Sequence, residues 1–400
     1  MKLYAQHGHA ASDKMQRAIQ EGYINGIILS PRCLAPESAN LLVEELRRLN
    51  PRIDVLIDPE FYATRYVGTP NAQLRHLEEW PHFVPRRRNE LLVGTAGVDA
   101  TLHAAYEVQR AIGCTHLIAP SIYVTSSLDS IEAAIAITFV NRAKPVAADM
   151  GIDVPVYATI AVDRDAIVDR RNYLAFLNAI TGTDPSPDGV YALVGAGPTD
   201  ERAGTVRSQI MVPEVIAGWM LLNYSLSLNN MRVVNGFSDI LTPWLGAAGG
   251  YAGSTGWWSN LQVFSMARYI RGPRGGQQPL VRYLSMKLLN RITVNEREAF
   301  VEFVPGIMNG FSTDSLYAGR QPSRTDEAIQ SWQAISALNS AVVSANIREG
   351  LQRLRNRTTE AREYYDRLRD VGFSERYEAN IEFLAALGDS LTAFEELAEL

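Results

Sequence analysis

The residues with the most chemical potential are carboxylates placed just behind short apolar runs. Asp58 and Glu60 close the run Val55-Leu56-Ile57 in the motif IDPEFY, and Asp163 follows Val156–Val162. Asp239 comes shortly after Arg232-Val233-Val234-Asn235-Gly236. Acidic groups that converge on one mouth suit acid–base or nucleophilic work on a glycosidic bond. Asp58, Asp239 and Asp163 are therefore the catalytic candidates. The same residue types also cap helices and close loop ion pairs, and Asp239 stands directly before a helical stretch.

Other features could contact a ligand. Val194-Gly195-Ala196-Gly197-Pro198 lets backbone approach a flat ring or a phosphate at Gly195 and Gly197, because glycine presents no side chain. Ser254-Thr255-Gly256-Trp257-Trp258 sets two indoles side by side, able to floor a pocket or to pack an element. Glu60, Tyr123, Ser254 and Trp257 join the two glycines as expected substrate contacts. Arg86-Arg87-Arg88 is the expected phosphate-binding, nucleic-acid-contacting rim, to which Arg268, Arg271 and Arg274 could add, although a charge run is more commonly a solvated face. His7-Gly8-His9 resembles the first ligands of a barrel metal site. The remaining histidines, His76, His82, His103 and His116, do not lie where later strands would complete a shell. Neither a metal nor a cofactor is expected.

These residues need a scaffold that brings strand ends together. Short β-branched runs near Leu3–His7, Gly26–Ser30, Asp54–Asp58, His116–Pro120, Val156–Val162, Gly189–Val194, Arg232–Gly236 and Gly250–Ser254 alternate with helical stretches. Their near-continuous apolar character fits strands covered on both faces. Eight such units predict an α/β fold, a (β/α)8 TIM-type barrel over residues 1–272, with an insertion at about 63–97. Asn260 to Ile270 is the expected closing helix. Residues 273–324 read as a connecting segment. Residues 325–400, rich in Arg, Glu, Leu and Ala, read as a helical C-terminal extension.

Composition narrows the class. The chain has 400 residues, is 46% hydrophobic and carries a formal net charge of −6. That argues against a protein that coats DNA through overall charge. Two cysteines, Cys33 and Cys114, support neither a disulfide framework nor a cysteine zinc site. The amino-terminal residues lack the apolar core of a signal peptide, and no apolar run reaches the roughly 18 residues that span a bilayer. A cytoplasmic protein without membrane association is expected.

The strand-end motifs, taken together, resemble the tRNA-guanine transglycosylase superfamily, including relatives that insert deazaguanines into DNA. VLIDPEFY (Val55–Tyr62) is similar to the family strand that ends in a base-recognising aspartate. DGVYALVGAGP (Asp188–Pro198) is similar to its glycine-rich, base-contacting segment. The resemblance runs in loose order over about half of the chain. It implies a barrel enzyme that exchanges a purine base on a nucleic acid, with Asp58 reading the base and Gly195 and Gly197 offering backbone contacts. The sequence departs from the pattern at three places. Gly253 and Ser254 stand where the family has its nucleophilic aspartate, Ser121 stands near the fourth-strand aspartate position, and the family's cysteine-rich zinc site is absent. Asp239, one strand earlier, is the substitute nucleophile.

Three functional expectations follow. The first is a transglycosylase-like enzyme acting on a nucleobase or N-glycosidic bond, with a nucleic acid or a purine or deazapurine as ligand. The second is a non-catalytic barrel subunit that meets a protein partner, or a second copy, through its C-terminal helices. The third is a small-molecule lyase or hydrolase on the same scaffold.

Overall fold

The computed structural model describes residues 1–125, 127–196, 209–271, 280–304 and 306–400. Gly197 lies outside the described residues. Eight parallel strands form the ring: β1 (Lys2–Gln6), β2 (Gly26–Leu29), β3 (Asp54–Ile57), β4 (Leu117–Ile118), β5 (Val156–Asp163), β6 (Gly189–Ala196), β7 (Arg232–Asn235) and β8 (Ala252–Thr255). Their hydrogen-bonded order is β3-β2-β1-β8-β7-β6-β5-β4, the winding of a (β/α)8 barrel. The last gap, between β3 and β4, is bridged by Thr115. Its backbone N–H donates to the Val55 carbonyl at 2.9 Å, and its hydroxyl oxygen accepts from the Val55 N–H at 2.8 Å. Where a full ladder does not form, one threonine satisfies the edge groups that burial would otherwise strand.

The barrel interior is filled by tyrosines that lie over glycines on neighbouring strands. A Cβ at Gly26 would meet the Tyr4 ring at 2.7 Å, and one at Gly189 would meet the Tyr157 ring at 2.7 Å. Nearer the carboxyl end, Gly236 faces the Tyr191 hydroxyl at 2.7 Å and Gly195 faces that of Tyr123 at 2.2 Å by the same construction. Strand alternation aims these rings inward, and only glycine leaves room for them. The bare backbone at Gly195 thus accommodates Tyr123.

The outer layer comprises α1 (Lys14–Gln20), α2 (Pro36–Leu49), α3 (Ala96–Ile112), α4 (Ile131–Asp149), α5 (Arg170–Thr181), α6 (Pro213–Leu228) and the short α7 (Thr242–Ala247). Ser130 and Asp169 cap α4 and α5 by accepting from the Ala133 and Asn172 N–H groups. The insertion is built from 3-10 turns at Phe61–Tyr66 and Arg75–Glu79 and a short helix at Arg88–Leu92.

The expected helix over Asn260–Ile270 does not form. Two 3-10 turns, Ser259–Leu261 and Met266–Tyr269, flank a two-residue strand, Phe264–Ser265, which pairs with Gly195–Ala196 at the end of β6. This segment crosses the barrel mouth as a strap. The free carboxyl-end edge of β6 and a pocket for the Phe264 ring outweigh helical spacing, and the Ser265 hydroxyl oxygen caps the following turn by accepting from the Ala267 N–H.

The region read as a connecting segment contains a hairpin, β9 (Arg282–Ser285) and β10 (Asn290–Thr293), and α8 (Val294–Phe303). Beyond it come α9 (Arg324–Val342), α10 (Ile347–Asp370) and α11 (Ser374–Ala398). α9 packs between α7 and α1 and against β1, the position of an eighth barrel helix. The Trp332 indole N–H donates to the Thr255 carbonyl at the end of β8, at 3.1 Å. α11 lies along α6, and Trp244 of α7 donates to the Leu387 carbonyl at 3.0 Å. That packing explains why α6 is apolar on every face: Val215, Ile216, Trp219, Met220, Leu222 and Leu226 are all buried. Among the described residues, no helix is long and apolar enough to cross a membrane.

The ring-over-glycine packing sets a stability test. Gly26→Ala and Gly189→Ala are each expected to cost about 1–3 kcal/mol in urea unfolding, because the added methyl meets a fixed ring. Gly388→Ala in α11, where a Cβ meets nothing closer than the Thr358 hydroxyl at 3.9 Å, is expected to stabilise by about 1 kcal/mol.

Candidate active site at the barrel mouth

The carboxyl ends of the strands hold the polar groups that sequence reasoning singled out, and the strap covers them. Asp58 is fully buried. Its Oδ1 accepts from the Glu60 N–H at 3.0 Å, and its Oδ2 accepts from the Tyr62 hydroxyl at 2.8 Å and the Tyr191 hydroxyl at 3.1 Å. Burial, followed by the negative charge of Glu60, pushes its carboxyl up to about 7, against the pull of those three donors.

Glu60 is 1% exposed and sits in the left-handed region at φ 49°. Its carboxylate accepts from the Ser30 hydroxyl at 3.1 Å, the Arg32 N–H at 3.0 Å and the Tyr269 hydroxyl at 2.9 Å. The Arg268 guanidinium stands 4.0 Å away. Phe237 and Asp239 also take positive φ, 55° and 41°. A non-glycine residue there costs about 1–2 kcal/mol, so the surrounding contacts must hold it in place.

Asp239 is 3% exposed. Its Oδ1 accepts from the Thr255 hydroxyl at 2.6 Å and from the Arg291 guanidinium at 2.5 Å. Arg291 belongs to β10, so the hairpin completes the mouth. Asp163 caps the turn Arg164–Ile167 by accepting from the Asp165 N–H, and it also accepts from the Tyr123 hydroxyl at 3.2 Å. Burial raises its carboxyl above the usual carboxylate range. The three aspartates thus share one end of the barrel, each engaged by groups of the chain.

Phe264 closes the centre. Its ring is fully buried against Tyr62, Tyr123 and Phe237, with centroids 5.3, 5.9 and 5.4 Å away. The strap is tied outward as well: the Gln73 N–H donates to the Tyr269 carbonyl at 2.8 Å, and the Arg32 Nε–H donates to the Gln73 carbonyl at 2.8 Å.

The remaining expected contacts are distributed around this core. Ser254 is fully buried, donating to Gln6 at 2.9 Å and accepting from the Phe237 N–H at 2.9 Å, as a tie between strands. Trp257 is buried and donates to the His9 carbonyl at 2.7 Å. Trp258 donates to the same oxygen at 3.1 Å but stays partly exposed beneath Arg324. Arg86 donates to the Thr101 hydroxyl at 2.8 Å and Arg88 pairs with Glu132 at 2.5 Å; Arg87 is exposed beside them. Arg86, Arg88, Tyr62 and Tyr123 line one cleft of about 370 Å³. His7 is buried edge-on to Trp257, and burial lowers its imidazole to about 3. Among the described residues, no group of three or more His, Cys, Asp or Glu side chains is placed to hold a metal ion.

Sequence reasoning missed Tyr62, Tyr191, Phe264, Tyr269 and Arg291, and it named Arg268 only as part of a phosphate-binding rim with Arg271 and Arg274, the last of which lies outside the described residues. Tyr62 and Tyr191 lay within the motifs already quoted, and Tyr191 shares the inward parity of Leu193 and Gly195. Nothing local marks Arg291, because its role exists only once the hairpin folds back on the mouth.

No protein-family model matches the chain, and no curated protein matches it.

The raised Asp58 carboxyl has a signed consequence. An acid whose folded pKa lies above its unfolded value near 4 binds more protons when folded, so stability falls as pH rises from about 4 to about 7 and is level above. The buried neutral His7 and His82 slope the opposite way, losing stability as pH falls below about 6.5. Comparison of wild type with Asp58→Asn isolates the carboxyl. The wild type is expected to lose about 2–4 kcal/mol relative to the variant between pH 4 and pH 7.5, read from urea midpoints.

Proposed function

We propose that the chain is a transglycosylase-like enzyme that acts on a nucleobase or its N-glycosidic bond. The observation that carries the reading is Asp58: a fully buried carboxyl pushed up to about 7 and bonded by two phenols, at the functional end of a barrel. Such a group exchanges a proton near neutral pH, and it can hydrogen-bond a heterocycle's edge in either protonation state. The likeness of IDPEFY to the base-reading strand of the tRNA-guanine transglycosylases points to the same residue.

In this reading Asp239 is the nucleophile. Among the described residues both of its side-chain contacts fall on Oδ1, which leaves Oδ2 for the anomeric carbon. A bond forms from Oδ2 to that carbon as the bond to the base nitrogen breaks, and the base leaves with the proton of the Asp58 carboxyl, which becomes a carboxylate. An incoming base then reverses the step. Asp163, with its own raised carboxyl, is the further acid–base group. Glu60, Tyr123, Gly195, Ser254 and Trp257 are the expected surroundings of the substrate, with Gly197 expected from the sequence alone, and Arg86, Arg87 and Arg88 are the nucleic-acid rim. Because Phe264 and Tyr269 cover Asp58, the strap must lift for substrate to enter.

One observation favours the second reading, a non-catalytic barrel subunit. The mouth's carboxylates are already satisfied by the chain: Asp58 by phenols, Glu60 by Tyr269 and Ser30, and Asp239 by Arg291.

Titration calorimetry with guanine and 7-deazaguanine on the full chain separates the two. The enzyme reading expects base binding that Asp58→Asn weakens by about 2–3 kcal/mol while circular dichroism stays unchanged. It also expects base exchange that is lost in Asp239→Asn. If neither base binds, and the chain elutes with partners from its host, the subunit reading stands instead.

A further inference from the structure

The carboxylates of the mouth turn inward, but a second feature faces the outside. Between the strap, the hairpin β9–β10 and the start of α9 lies a cleft of about 440 Å³. Arg268, Arg282, Arg291 and Arg324 line it, with Glu327 as the one carboxylate among its lining residues. A chain of net charge −6 has here gathered four guanidiniums around one opening. Glu327 is paired with Arg324 at 2.5 Å, Asp239 with Arg291 at 2.5 Å, and Glu60 stands 4.0 Å from Arg268, so the excess of positive charge is the one guanidinium of Arg282.

Two of these arginines are not solvated surface charges. The side chains of Arg268 and Arg291 are each 3% exposed. Arg291 is clamped, with one amino group on Asp239 at 2.5 Å and the other on the Ser331 hydroxyl at 2.7 Å. Arg268 is held 4.8 Å over the Phe237 ring. Yet Nε and Nη1 of Arg268, and Nε of Arg291, are buried and have no hydrogen-bond partner among the described residues. Buried charged donors are as a rule paired, and unpaired ones at a cleft mark a place for acceptors. The guanidinium fork matches the oxygens of a phosphate, and arginines already fixed lose little freedom on binding. Trp258, beneath Arg324, adds an aromatic wall.

We propose that this cleft is a phosphate-binding site, filled by the phosphate of a nucleotide or of a nucleic-acid backbone. The site stands on its own geometry and does not need Asp58 to read a base. It is separate from the Arg86–Arg88 rim, which lines the other cleft.

The test uses the full chain, with inorganic pyrophosphate and an oligothymidine lacking terminal phosphates as probes, followed by calorimetry and tryptophan emission. Arg282→Ala/Arg324→Ala removes two cleft charges, one exposed and one half-buried. Arg348→Ala/Arg353→Ala removes the same charge from α10 and serves as the control. The cleft double variant is expected to bind pyrophosphate at least about tenfold more weakly, and the α10 variant within about twofold. Pyrophosphate binding that is lost this way supports a free phosphate or nucleotide. Oligothymidine binding alone, lost in the same variant and steeply salt-dependent, supports the backbone. Arg324→Lys, which keeps the charge, is expected to fall between wild type and the double variant, which guards against misfolding as the cause. Failure of both probes to bind wild type at millimolar concentration, or equal losses in the cleft and α10 variants, overturns the proposal.

Discussion

A carboxylate buried to 1% exposure cannot stay charged without partners, and Glu60 makes that demand at the centre of the mouth. Three segments meet there. β3 delivers the residue, the loop after β2 contributes Ser30 and the Arg32 N–H, and the strap contributes Tyr269 and, farther off, Arg268. Because these partners come from segments distant in sequence, satisfying one charge fastens the strap across the barrel. The left-handed backbone at Glu60 is tolerable for the same reason.

The consequences spread outward. With Tyr269 held on Glu60, Phe264 seats among Tyr62, Tyr123 and Phe237, and Asp58 loses contact with water. Loss of water and the nearby Glu60 charge bring the Asp58 carboxyl to about 7. On the outer side, the strap presents Arg268 to a cleft whose other wall is the hairpin carrying Arg291. A closed apolar cork and an open cationic cleft are thus two faces of one segment.

The barrel was legible in the sequence because its strands are covered on both faces and so read as apolar runs between helices. Asp58 and Glu60 were legible because a barrel places its chemistry just after a strand. The strap was not. Leu261, Phe264 and Arg268 are spaced as on a helix, and only the edge of β6 makes them extended. Nor was the eighth outer helix, because α9 arrives from beyond the hairpin instead of directly after β8. The uniform apolarity of α6 had a physical cause that lies at the far end of the chain, in α11. The sequence around Asp239 suits a helix cap or a catalytic group, and its pairing with Arg291 depends on a fold-back that no local pattern announces.

The account turns on Glu60 as the fastening of the strap. Hydrogen–deuterium exchange on Glu60→Gln, which keeps the side chain's size and removes its charge, tests this most directly. Amides of residues 257–270 should exchange at least about tenfold faster than in wild type, while those of β1, β6 and β8 keep their protection. Unchanged exchange across 257–270 would contradict the account, as would a uniform rise over the whole barrel.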